Sequence, residues 1–263
     1  MTEIKIENSS NEYPGASKCD NVQLVPAMAE LQLKYLFYVL ENGLEKDFEK
    51  AFKGYTSIVS IIQKIPSVKE TDKDWQSALK SIRENYSKFS CRADRTGFAR
   101  ESMKIIAPFL SYSAQTPKAA HEWFGCFRYN YDPGMKHVYL HFQNACIPES
   151  PFTSTSDRVR ELAAIVKDIQ AKGILPETIG CESWLNELNV FQSFFPPEYH
   201  QSFIVSPPDS KGGYGWWGQF VGKDGRFNKS KAEKFEKTMT FQFQRIIAKC
   251  SYAAFVKHIL AGS

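Results

Sequence analysis

Two runs rich in aromatic and β-branched residues, 123–129 (Trp-Phe-Gly-Cys-Phe-Arg-Tyr) and 137–142 (His-Val-Tyr-Leu-His-Phe), flank Asn130-Tyr-Asp-Pro-Gly134. Such runs suit a pleated, half-buried surface. Pro133 presets φ and Gly134 accepts a positive φ, so the chain is predicted to reverse here and the runs to pair as an antiparallel hairpin. In the second run a period of two puts Val138, Leu140 and Phe142 on one face and His137, Tyr139 and His141 on the other. The first face is a core face, and the second carries chemistry or water.

The segment after the hairpin limits the topology further. Pro148 and Pro151 rule out a helix or central strand over 143–152. Thr153-Ser-Thr-Ser-Asp157 is a dense set of N-cap residues, and Val159, Leu162, Ala163, Val166 and Ile169 continue it at helical spacing, so a helix is expected over 156–172 with Gly173 closing it. Thr178-Ile-Gly-Cys181 reads as a strand, residues 184–194 as a helix stopped by Pro196 and Pro197, and 201–205 as another strand. A strand, a crossover helix and a strand imply a parallel pair.

The rest of the chain divides into a polar lead-in at 1–26, a helical region at 27–116 and a mixed α/β region at 117–263. Helical stripes run from Met28 to Glu41, from Phe48 to a stop before Pro66, from an Asp74 cap to about Phe89, and from Arg95 to Tyr112 with an interruption at Pro108. They predict an antiparallel helical layer. In the tail, 207–213 reads as a loop, 214–221 (Tyr-Gly-Trp-Trp-Gly-Gln-Phe-Val) as a further strand, 228–237 as a helix and 249–260 as a final amphipathic helix. The fold class is therefore α+β: a helical layer followed by a mixed sheet with flanking helices.

With 43% apolar and 14% aromatic residues over 263 positions, the chain has material for a large core. The net charge of +4 is spread among interspersed acids and bases, with no basic arm, which argues against nucleic acid as a partner. No run approaches the roughly 20 apolar residues of a membrane span, and the N-terminus has no apolar signal core, so a cytoplasmic location is expected. Cysteines at 19, 91, 126, 146, 181 and 250 form no Cys-x-x-Cys pair and read as free, largely buried thiols.

The order of hairpin, helix 156–172, strand 178–181, helix 184–194 and strand 201–205 resembles the central and C-terminal half of GNAT-type acyltransferases. Cys181-Glu-Ser-Trp-Leu185 followed by Phe195-Pro-Pro197 is similar to a segment of GNAT-like C-terminal domains, the likeness covering about residues 121–206. The resemblance implies an acyl-CoA or similar thioester lying between the strands at 138–142 and 178–181, with its pyrophosphate at the start of the helix near Ser156. The chemistry of a helix start suits a phosphate, because its free N–H groups are joined here by Ser154, Thr155, Ser156 and Arg158 as donors. The family's glycine-spaced phosphate loop is missing, since no glycine lies between Phe142 and Asp157. The plainer reading of the hydroxyl run is a helix cap.

Transfer to an amine or hydroxyl acceptor, small molecule or peptide, needs a base and a group to protonate the departing thiolate. By position, Glu182 is the candidate base and Tyr199 the candidate acid, with His141 able to replace either. The alternative is a non-catalytic binding or regulatory module of the same shape, using the helical region as a protein-partner surface. Two weaker readings are a thiol hydrolase built on Cys181 and His141 and a metal site built from His137, His141 and His200; neither has the spacing such sites carry, and no metal is expected. Trp216 and Trp217 read as core or pocket wall.

Overall fold

The stripes of Leu31, Tyr35, Leu36 and Val39 and of Phe98, Ile106 and Leu110 bury against one another and set the first half of the molecule. The computed structural model describes residues 21–62, 72–115, 122–207 and 214–261. Helices α1 (Asn21–Glu41), α2 (Phe48–Tyr55), α3 (Ile58–Ile62), α4 (Lys73–Ser90) and α5 (Arg95–Gln115) form the helical layer. Of the expected lead-in, residues 1–20 lie outside the described residues; 21–26 belong to α1, with Pro26 inside it. Asp47 and Asp72 cap α2 and α4 by accepting N–H bonds from Lys50 and from Asp74 and Trp75.

The second stripe breaks at Thr56, whose backbone is extended. Buried Gln32 of α1 holds the break, accepting from Ser57 N at 2.6 Å and donating to Ser57 Oγ at 3.0 Å. α5 continues through Pro108 to Gln115 where an interruption was expected; a proline removes one ladder bond, and burial of Ile106 and Leu110 against α1 holds the turns on either side.

The second half is a five-stranded mixed open sheet. β1 (Phe127–Asp132) and β2 (His137–Phe142) form the expected hairpin, in register from Phe127↔Phe142 to Asp132↔His137, and Asp132 Oδ1 accepts from the N–H groups of Gly134 and Met135 in the turn. After α6 (Thr155–Ala171), β3 (Thr178–Ser183) lies parallel to β2, as the crossover predicts. Beyond it come a 3-10 turn (Trp184–Glu187), α7 (Asn189–Gln192), α8 (Pro197–Gln201) and the two-residue β4 (Ile204–Val205). The single helix expected over 184–194 is thus broken, because Ser183 captures Leu185 N and Leu188 is extended.

The tail departs most from expectation. The stretch expected as a strand at 214–221 is one helical turn, α9 (Tyr214–Trp217), followed by a 3-10 turn (Gly218–Phe220). A strand would send adjacent Trp216 and Trp217 to opposite faces, whereas both are buried in the helical core, where Trp217 meets Tyr35 edge-on at 5.8 Å. Residues 208–213 of the expected loop lie outside the described residues. α10 (Lys229–Thr238) also packs on this core through Ala232 and Phe235.

The expected final helix begins later, at α11 (Tyr252–Ala261), because Ile246–Ser251 is a strand, β5, whose Ile246, Ala248 and Cys250 are buried and Ile247, Lys249 and Ser251 are not. β5 lies between β3 and β4, antiparallel to both, so the sheet order is β1-β2-β3-β5-β4. A Cβ on Gly180 of β3 would sit 2.1 Å from the Ala248 carbonyl oxygen, so this close approach requires glycine. α6 and α11 cover one sheet face, with Val138, Leu140, Ile179, Ile165, Phe255 and Ile259 in a second core. The chain thus builds one core from 24–110 and 216–241 and another from 126–199 and 246–259. No described helix is long and apolar enough to cross a membrane.

Candidate functional site

β2 and β3 are joined only over their first three residues, His137↔Thr178, Val138↔Ile179 and Tyr139↔Gly180. Beyond that point each stays tied to its outer neighbour, β2 to β1 as far as Phe142 and β3 to β5 as far as Ser183. The strands therefore part at 140–142 and 181–183, leaving facing backbone edges unjoined in the middle of the sheet. The link 143–154 leaves from the end of β2 and carries the start of α6. On the core side, Phe152 stacks on Phe142 (5.5 Å, 9°) and meets Phe191 and Phe194. Trp184 stacks on Phe243, and Trp217 belongs to the helical core.

Glu182 stands on β3 where the strands part. Its Oε2 lies 2.9 Å from Arg245 Nη2 and its Oε1 accepts from Ser206 Oγ at 2.8 Å, with a third of the side chain exposed. Burial lowers the Arg245 guanidinium from its ordinary value, and Glu182 opposes that shift. His141 is half-buried on the opposite sheet face from Leu140, facing Arg128 across the hairpin.

Tyr199 is drawn out of solvent altogether. It stacks on Phe195 (3.9 Å, 9°), its hydroxyl donates to Asn186 Oδ1 at 2.9 Å, and it lies 3.1 Å from Cys181 Sγ. Burial pushes its hydroxyl well above the usual tyrosine value. An acid must reach the atom it protonates, so this arrangement sets Tyr199 in a structural trio and does not present it to the gap. Cys181 shares the trio, its thiol pushed up to about 11 by burial. It faces the covered side of the sheet while His141 faces the other, so the two are not brought together as nucleophile and base.

At the α6 start, Ser154 is the N-cap but bonds no backbone N–H; its Oγ lies 3.2 Å from Ser156 Oγ, and Thr155 and Ser156 are exposed. Asp157 is held below the usual carboxylate range by Ser154, aided by Arg160 and Arg158 against burial. Arg158 corrects the expectation of a surface donor. It is 5% exposed and points inward, Nη1 donating to Cys146 Sγ and to the Pro151 carbonyl, both at 2.9 Å, and Nη2 to Glu161. The hydroxyls and free N–H groups of this end suit phosphate oxygens, but no cation from the expected set is aimed at them.

His137 Nδ1 is 2.7 Å from Thr178 Oγ1 and His200 Nε2 is 3.1 Å from the Gln192 carbonyl oxygen, so each of these histidines has its own local partner. Among the described residues no group of three His, Cys, Asp or Glu is placed to hold a metal ion. Sequence reasoning missed Asn186, Arg245, Cys146 and Glu161. Only the Arg158/Glu161 spacing of one helical turn carries a local signal; the others are joined by the fold. In comparisons with known proteins, no family model matched this chain, and no match was found among curated proteins or solved structures.

Proposed function

We propose that this chain is a GNAT-like acyltransferase that takes an acyl group from a CoA-type thioester and passes it to an amine or hydroxyl acceptor. One observation carries the reading: two parallel strands part in mid-sheet, and the link from the end of the first leads straight into a helix start. An extended, amide-bearing arm can pair with the unjoined edges of 140–142 and 181–183, while its phosphates meet the N–H groups of α6 and the hydroxyls of Ser154, Thr155 and Ser156. Glu182 then stands beside the reacting end, its carboxylate fixed by Arg245 and Ser206 to accept a proton from the acceptor. The thiolate takes its proton from water or from the acceptor's own proton, because Tyr199 is enclosed.

The test is calorimetric titration of the full chain with CoA and acetyl-CoA, followed by an assay of free thiol release with amine acceptors. Saturable binding that weakens at least tenfold in Ser156→Asp, with turnover lost in Glu182→Gln while binding persists, is expected. No binding at millimolar ligand refutes the proposal. The enclosure of Tyr199 favours one second reading, a non-catalytic module that holds the thioester and presents its helical layer to a protein partner. Binding without turnover for any acceptor selects it.

A further inference from the structure

The link that leads into α6 brings two thiols together with a buried guanidinium. Cys146 Sγ lies 3.8 Å from Cys126 Sγ, although the residues are 20 apart in the chain. The chain leading to Cys146 is tied to Cys126 by the Gln143 N–H bond to the Cys126 carbonyl, at 2.9 Å. Arg158 Nη1 reaches Cys146 Sγ at 2.9 Å, and Arg158 Nε is buried without a hydrogen-bond partner. Glu161 bridges the group, accepting from Arg158 Nη2 and from Cys126 N at 3.0 Å. A Cβ on Gly125, whose φ is +62°, would overlap Glu161 Oε1, so this glycine lets the carboxylate reach the Cys126 amide.

The two sulfurs differ in ways that assign roles. Cys146 is partly exposed, and its sulfur receives the Arg158 guanidinium. Cys126 is fully buried, and its thiol is pushed up to about 12.

We propose that Cys146 and Cys126 form a hydroperoxide-reactive thiol pair, with Cys146 as the attacking sulfur and Cys126 as the resolving one. The Cys146 thiolate attacks the outer oxygen of a hydroperoxide; the O–O bond breaks and the alcohol, or water from hydrogen peroxide, leaves after taking up a proton. Cys146 becomes a sulfenic acid, whose oxygen finds a donor in Arg158 Nε. The Cys126 sulfur then attacks the Cys146 sulfur, and the S–OH bond breaks. Hydroxide leaves with the Cys126 thiol proton as water, and the disulfide forms. Two thiols lose two electrons in all and one hydroperoxide gains them. This pair does not depend on thioester binding.

The test treats the reduced full chain with one equivalent of hydrogen peroxide, blocks remaining thiols under denaturing conditions, and maps the peptides by mass spectrometry. A 126–146 disulfide formed at least tenfold faster than oxidation of exposed Cys91 is expected. In Cys126→Ser, dimedone must trap a sulfenic acid on Cys146; in Cys146→Ser, Cys126 must stay reduced. Arg158→Met must slow Cys146 oxidation at least tenfold, while Arg158→Lys keeps part of the rate. If Arg158→Met does not fold, the rate of Cys146 oxidation in Arg158→Lys decides, and it must fall below that of the wild-type chain while staying above that of Cys91. Cys146 reacting no faster than Cys91, or disulfides joining other cysteines first, overturns the proposal.

Discussion

Replacing Asn186 by alanine tests whether the buried trio beneath β3 supports the fold around the site. Asn186 Nδ2 donates to the Ile246 carbonyl at 2.7 Å and the Cys181 carbonyl at 3.3 Å, while Oδ1 accepts from Tyr199 Oη at 2.9 Å and Cys181 Sγ at 3.4 Å. The residue is fully buried, so water cannot replace these partners. Stranding the Ile246 carbonyl costs about 1–3 kcal/mol, weakening the other contacts adds about 1 kcal/mol, and the void adds about 1 kcal/mol, for a total of about 3–5 kcal/mol. At about 2–4 °C per kcal/mol for a chain of this size, the melting temperature falls by roughly 6–20 °C. Tyr199→Phe removes only the hydroxyl, and Asn186 Oδ1 keeps the Cys181 thiol as donor, so its loss is about 1–1.5 kcal/mol. Urea unfolding of both variants beside the wild type measures the difference. A loss below 1 kcal/mol for Asn186→Ala, or an equal loss for both, refutes this account of the trio. The same Tyr199→Phe variant bears on chemistry: turnover should stay within about threefold, where loss of a general acid removes about a hundredfold or more.

Two further outcomes concern the sheet and α6. Gly180→Ala drives a methyl into the Ala248 carbonyl, so β3 and β5 must separate, and the variant should melt at least 10 °C lower or fail to accumulate; near-wild-type melting refutes the close approach. Burial pushes the Asp168 carboxyl up, but hydrogen bonds from Lys172 and Tyr129 outweigh it and hold the group below its ordinary value. The folded state therefore binds this proton less readily than the unfolded chain, and the stability it adds is present above about pH 4 and is lost as pH falls through the lower folded value. Urea midpoints from pH 6 to pH 3 should fall less steeply for Asp168→Asn than for the wild type; identical slopes contradict the assignment.

The hairpin and the parallel pair were legible because their signals are local. Pro133-Gly134 marks the reversal, although the positive φ of the turn falls on Lys136 (+47°) and not on Gly134, and a helix-length stripe between two short strands forces a crossover. β5 was not legible, because its six-residue alternation runs directly into the α11 stripe and a helical reading absorbs the last residues of the strand. Trp216 and Trp217 have strand composition, and only the helical core they fill turns them into a helical turn. Glu182 could be placed from its position at a strand end. The fates of Arg158 and Tyr199 could not, since an arginine in a first helical turn looks the same facing out or in, and its direction here is set by Cys146, Pro151 and Glu161.

Because β5 lies between β3 and β4, a ribosome must reach residue 251 before the sheet can close. Until then β3 has one bare edge, and the chain it waits for is first threaded through the neighbouring core by way of Trp216, Phe235 and Phe241. A single cut between 221 and 228 therefore leaves both halves interlocked, each holding a strand or helix the other needs. Cutting the gene at 206 to isolate the sheet would leave β1, β2 and β3 paired but β4 without its partner, β5. Dissection has a workable route only by joining 206 to 244 through a short linker and omitting the excursion.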